Sequence, residues 1–251
     1  MKVSVRDKSI LIGLFLSKFD IEGLYLLGFD GYVEAYNALG YSIGAKPASL
    51  KNYRDEFDPL FPNPRKGWHK RKLRDYCKVF YDEYKDWDAK SFAELIKRIV
   101  YQNYELEELF EKTNNQKRKE ETFAKRLITG QAAEQYFKYI YHEIPIFQNL
   151  VLEDTTKLGC GFDFKLSSNS TNKFFGVEVK GLNGLSGDIA LTEKEFRVAG
   201  YLKQDYFLFI VKNFAERPTH IYYQNPLGTD LKFKKIETRI IQVSYNTRID
   251  K

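Results

Sequence analysis

Cysteine is scarce in this chain of 251 residues: there are two, Cys77 and Cys160. They stand too far apart for a metal knuckle, so neither a zinc ribbon nor a disulfide framework is expected. Long apolar runs are missing too. The most apolar N-terminal stretch, residues 10–16, is interrupted by Gly13 and ended by Ser17 and Lys18, far short of the roughly 20 residues a bilayer span requires. It also lacks the small-residue cleavage site of a signal peptide, so the chain is expected to be cytoplasmic and without a membrane partner. Histidine is sparse, and His69, His142 and His220 are scattered. None is spaced as a metal pair or as a base beside a nucleophile, so each reads as exposed or satisfied. Residues 181–187 are rich in glycine but lack the Gly-Lys-Ser/Thr of a phosphate loop, and read as a loop beside a strand end that touches substrate.

What is present is globular in balance, with 43% apolar and 29% charged residues. Forty Lys plus Arg against 34 Asp plus Glu give a net charge of +6, which favours polyanionic partners. Aromatics reach 16%; codon usage alone could produce such a composition. Organisation along the chain is clearer. Residues 8–19, 32–39, 50–57, 73–84 and 91–110 carry apolar side chains at three- and four-residue spacing and read as helices. The charged stretch 111–121, EKTNNQKRKEE, reads as a linker or exposed helical connection. Beyond it, a long helix over 122–141 precedes short β-rich runs at 150–152, 162–166, 174–179, 206–211 and 220–223. A helix is expected between the third and fourth runs. Its start has good cap chemistry: Thr192 as N-cap, Glu195 three residues on, and Leu191 able to staple against Phe196.

Asp163 lies among apolar neighbours in Gly161-Phe162-Asp163-Phe164, where a carboxylate is costly. In Val177-Glu178-Val179-Lys180-Gly181, strand alternation puts Glu178 and Lys180 on one face and Val177 and Val179 on the other. If the two strands form a hairpin, Asp163 meets Glu178 across the ladder. On the long helix, Phe123, Leu127, Gly130, Glu134, Phe137 and Tyr141 form a stripe expected to face the sheet, which brings in Glu134 as a third acid. Asp163, Glu178 and the carbonyl of Val179 would give Mg2+ a half-shell of oxygens. Lys180 can orient a water or neutralise phosphoryl charge, and the chemistry that suits this set is metal-assisted hydrolysis of nucleic acid. The competing reading makes Glu178 and Lys180 a solvated face, Asp163 a turn residue and Glu134 a rim residue.

Together with Gly130-Gln131-Ala132-Ala133-Glu134, Leu191-Thr192-Glu193-Lys194-Glu195 and Asp205-Tyr206-Phe207-Leu208, these motifs resemble the PD-(D/E)xK restriction-endonuclease-like superfamily. They look most like its subgroup related to the C-terminal domain of the plant protein NO VEIN, found in bacterial restriction and defence proteins. The likeness spans residues 122–214, and Phe162 stands where the motif has proline. The apolar spacings and the charged stretch give a mostly helical N-terminal domain, 1–115, and the order of elements beyond it suggests an α/β fold; the resemblance implies that 116–251 is a restriction-endonuclease-like mixed β-sheet core flanked by helices. It implies Asp163 and Glu178 as metal ligands, Lys180 as the catalytic lysine, and Glu134 as an acid supporting the metal or its water. Restriction chemistry would also imply a cognate methyltransferase acting on the same site.

The densest basic segment, residues 62–74, holds Arg65, Lys66, Trp68, Lys70, Arg71, Lys72 and Arg74. Cations can neutralise phosphates while an aromatic ring stacks on a base; a plain solvated charge run would look the same. This segment reads as a loop leading into a helix with cationic first turns. Residues 32–39 and 49–57, joined by a glycine-bearing turn, have the shape of a helix-turn-helix or of an ordinary helical hairpin. With Leu50, Tyr53 and Phe57 inward, Lys51, Asn52 and Arg54 are expected outward, where Asn and Arg could read base edges. The leading expectation is a Mg2+-dependent endonuclease acting on double-stranded DNA, of type II-like restriction character in host defence. Cutting both strands needs two sites, hence a homodimer, whether pre-formed or assembled on DNA. The alternatives are a non-catalytic nucleic-acid sensor, or a nuclease for RNA or modified DNA.

Overall fold

The computed structural model describes residues 4–100, 117–168, 173–236 and 247, and the side chains of 117–124 are left out of the description. Helix α1, Val5–Leu26, starts at Ser4, whose hydroxyl accepts the Asp7 N–H. It is buried without interruption from Lys8 to Ser17, as suits a helix at the centre of a bundle. Around it lie α2 (Tyr32–Ser42), α3 (Pro47–Phe57), α4 (Asp75–Tyr84) and α5 (Ala89–Val100). The apolar residues Ile10, Ile12, Leu14, Phe15, Leu16, Leu39, Leu50, Phe57, Phe92 and Ile96 share one core. Fully buried Asp58 is held inside this half by Ser17 Oγ at 2.8 Å and by the two-pronged guanidinium of Arg65 at 3.0 Å on each oxygen. Charge-assisted bonds of this kind offset the desolvation of a buried carboxylate.

Helix α6, Lys117–Ile140, joins the two halves. On one side it packs against α2, and on the other against the sheet. Ile128 belongs to the first core and Ala132, Ala133, Phe137 and Ile140 to the second. Phe137 is the centrepiece, with ring centroids 5.2 Å from Phe164 and 4.8 Å from Phe209; truncating such a residue to alanine costs about 3–5 kcal/mol. Asn37 on α2 adds a polar link by donating to the carbonyls of Phe214 and Glu216, each at 2.8 Å.

Among the described residues the sheet has five strands in sequence order: β1 (Val151–Asp154), β2 (Phe164–Ser167), β3 (Phe174–Gly181), β4 (Tyr206–Lys212) and β5 (Thr219–Gln224). All neighbours are antiparallel except β3 and β4, which are parallel. A parallel pair needs a crossover, and α7 (Glu193–Leu202) lies within it. The molecule is thus α/β, with helices first and a mixed sheet after. The capping box expected at Thr192 is formed, Thr192 and Glu195 each bonding the other's backbone.

Three expectations change. The cationic segment does not begin a helix: α4 starts at Asp75 with Arg74 as its N-cap, and the residues before it form turns. The stripe on α6 is wider than predicted. Burial from Ile128 to Phe137 runs almost all round, because the helix is sandwiched, and this leaves Glu134 half-buried beside Ala133 and Phe137. Asp163 sits in the bend before β2, not within the strand. Residues 101–110 of the fifth expected helix, 111–116 of the expected linker, the domain boundary at 115/116 and the side chain of Phe123 lie outside the described residues.

Candidate functional site

The alternation of β3 divides its side chains as expected. Val177 and Val179 enter the core against α6, and Glu178 and Lys180 therefore take the other face. Asp163 reaches the same place by extension of the hairpin. Phe164 is registered with Val177, so the next position sets Asp163 opposite Glu178. The backbone holds it there: the Asp163 N–H donates to the Val177 carbonyl at 3.0 Å, and the Asp163 carbonyl accepts from Thr155 N–H at 2.9 Å. Its carboxylate accepts the Val179 N–H at 2.8 Å. Val179 thus contributes its amide to the placing of the acid. The turn before Asp163 depends on Gly161, which has φ +94 and would bring a Cβ to 2.7 Å from Val198 Cγ2.

Glu178 is 3% exposed. Burial raises its pKa well above the carboxylate range, and the negative charge of Asp163 raises it further. Asp163 is raised as well, chiefly by burial, although the Val179 amide and Lys180 act against this. Glu134 is pushed up to about 8, first by burial and then by Asp163. Each acid is therefore short of positive charge. Lys180 supplies one: its Nζ lies 2.5 Å from Glu178 Oε1 and 2.9 Å from Glu195 Oε2. Burial opposes the lysine charge, yet these two acids hold its pKa above the ordinary value.

Two oxygen-bearing side chains converge from the bend before β2 and from β3, and a third reaches them electrostatically from α6. Carboxylates raised by burial and mutual repulsion are relieved by a cation, so Asp163 and Glu178 suit a hard divalent ion. Among the described residues no group of three or more His, Cys, Asp or Glu side chains is arranged to hold a metal.

Sequence reasoning assigned Glu195 to helix capping alone. Its second contact, to Lys180, was foreshadowed by its N3 position, because a side chain there turns back over the helix start, and the crossover returns that start to the end of β3. Tyr206 was also missed: it is fully buried at the first position of β4 and donates to the Gly161 carbonyl at 3.1 Å.

Residues 133–224 match the family described as protein NO VEIN, C-terminal. The second half of the chain carries a NO VEIN C-terminal-like domain. No curated protein and no solved structure matches the chain. The NO VEIN-like segment contains Glu134, Asp163, Glu178, Lys180 and Glu195 and all five strands, while the helical half and its basic segment lie outside it.

That basic segment is more structural than its composition suggests. Arg54, expected outward on α3, is buried, pairs with Asp55 at 2.6 Å and lies over the Tyr32 ring. With Leu50 and Phe57 inward, position 54 shares their stripe at four- and three-residue spacing. Arg65 clamps Asp58 and Asp20, and Arg74 clamps buried Glu56. Trp68 carries the Arg71 guanidinium 3.8 Å from its ring centroid, so one face of the ring is already covered. Lys51, Asn52, Lys66, Lys70, Arg71 and Lys72 are exposed. Among the described residues no helix is long and apolar enough to cross a membrane.

Proposed function

We propose that this protein is a Mg2+-dependent endonuclease of PD-(D/E)xK type that hydrolyses DNA phosphodiester bonds in host defence, with the helical half engaging the duplex. The observation that carries the reading is the convergence of Asp163, Glu178 and Lys180 on one sheet face, with Glu134 in electrostatic reach. Asp163 and Glu178 would hold the ion, which when bound lowers the pKa of water and relieves charge on the phosphoryl oxygens. Asp163 is kept in place by the Val179 amide, so it needs little reorganisation to bind. The Lys180 ammonium offers a donor for the attacking water or a phosphoryl oxygen. Glu134, protonated through much of the neutral range, can give or take a proton at its carboxyl oxygen. Cleavage of both strands calls for a homodimer, free or formed on DNA.

Plasmid DNA incubated with the protein is expected to be cut with Mg2+ and untouched with EDTA. Asp163→Asn and Glu178→Gln should each lower the rate at least about 100-fold while a gel shift shows unchanged DNA binding. Asparagine can still accept the Val179 N–H, so the first variant tests charge more than fold. Cleavage that survives in both variants rejects the assignment. A second reading, a nucleic-acid sensor without chemistry, has in its favour that no three-ligand group is arranged among the described residues. It predicts a gel shift with no nicking under either condition.

A further inference from the structure

Lys180 has two acidic partners, and they are anchored differently. Glu195 is fixed by the start of α7: its Oε2 accepts the Thr192 N–H at 2.9 Å, and its own N–H donates to Thr192 Oγ1 at 3.2 Å. The same Oε2 accepts from Lys180 Nζ at 2.9 Å. Its direction is therefore set by the helix, whatever Lys180 does. Glu178 has no comparable tie. The one hydrogen-bond partner of its carboxylate among the described residues is Lys180, and it is the more deeply buried of the two acids.

An ammonium and a divalent cation compete for one carboxylate, and positive charges a few ångströms apart repel. For Glu178 to serve a cation, Lys180 has to give up that bond and still remain beside the site. We infer that Glu195 is the positioning residue for Lys180: it anchors the ammonium from α7 and so frees Glu178 for a divalent cation. The inference rests on the nuclease reading of the same site. Glu195 acts through Lys180 and touches no reacting atom, and Thr192 matters only through the helix start.

The test is a calorimetric Ca2+ titration of the full chain, made on the wild type, Glu195→Ala, Thr192→Ala, Lys180→Met and the Lys180→Met/Glu195→Ala double variant. Glu195→Ala should weaken Ca2+ binding about 10-fold, because Lys180 then falls back on Glu178; in the Lys180→Met background the same change should have no effect, which is a coupling of ordinary size for contacting residues. Thr192→Ala weakens the helix cap but spares the Lys180 contact, and should leave affinity within about 2-fold. If Glu195→Ala fails to fold, Glu195→Gln preserves the capping box and is read in both backgrounds, with a smaller loss expected. Equal weakening with and without Lys180 overturns the inference while leaving the nuclease reading intact. A wild type that binds no Ca2+ overturns the nuclease reading, and the inference with it.

Discussion

Glu134 is an acid whose ionised form the folded chain resists. Its pKa rises from an ordinary 4.5 to about 8, through burial first and the charge of Asp163 second. The sign of the consequence follows. A carboxyl whose pKa is higher in the folded state contributes stability that is fully present below its unfolded pKa and is lost as pH rises through the folded one. Asp163 and Glu178 are also raised, each chiefly by burial, and act in the same direction. The metal-free protein should therefore lose melting temperature between about pH 5 and pH 9. For Glu134 alone, full ionisation corresponds to on the order of 5 kcal/mol. Glu134→Gln should flatten the curve and melt higher than wild type at pH 8, with little difference at pH 5. Added Mg2+ should restore more stability at pH 8 than at pH 5, since it relieves only the ionised form. A melting temperature that climbs steadily from pH 5 to pH 9 in the metal-free protein would contradict this account of the site.

At the level of elements, the site depends on how closely α6 crosses the end of β3. A Cβ on Gly181 would lie 2.7 Å from the Thr129 carbonyl and 3.2 Å from Ala133 Cβ. The carbonyl belongs to the helix backbone and cannot rotate away. Gly181→Ala should therefore push α6 from the strand that carries Glu178 and Lys180, destabilising by about 1–3 kcal/mol. Thermal unfolding reads the loss, and cleavage should fall by more than stability accounts for; an unchanged melting temperature would refute the close crossing. Such crossings are hard to foresee in one sequence. The strands were legible because short runs rich in β-branched and aromatic residues are a local signal, and each expected run overlaps an observed strand. The start of α7 was legible because Thr192 and Glu195 form a self-contained cap. Asp163 and Glu178 came together because a hairpin register follows from adjacency in the chain. What escaped was set by distant packing. The face of α6 blurred because α2 and the sheet bury opposite sides of it. Glu195 found its second partner only when the crossover returned to the sheet, and Arg54 looked solvent-facing until the carboxylates of Asp55 and Asp58 were placed beside it.

For the whole molecule, net charge describes a surface only after the cations used by the fold are set aside. The chain carries +6, but Arg54, Arg65 and Arg74 are committed to Asp55, Asp58, Asp20 and Glu56. The lysines left facing water in the basic segment are Lys66, Lys70 and Lys72, whereas exposed Arg71 pairs with Glu56 at 3.6 Å and lies over Trp68. They are carried on a loop pinned to α3, since the Trp68 N–H donates to the Asp55 carbonyl at 2.7 Å. A rigid mount keeps the lysine charges together at little entropic cost on binding. Each phosphate neutralised on duplex DNA contributes about 0.9 to the slope of log affinity against log salt. The Lys66→Ala/Lys70→Ala/Lys72→Ala variant should therefore bind DNA more weakly and lower that slope by about 2–3, with no change in melting temperature. Arg65→Ala should do the reverse. It leaves Asp58 buried and short of its main partner, a loss of about 3–5 kcal/mol, while the salt slope of the protein that remains folded stays as in wild type. Titrations from 50 to 200 mM salt, paired with melting curves, distinguish the two sets of cations. If the triple lysine variant retains the wild-type slope, the duplex does not lie on this loop, and the proposal that the helical half engages DNA loses the surface it rests on.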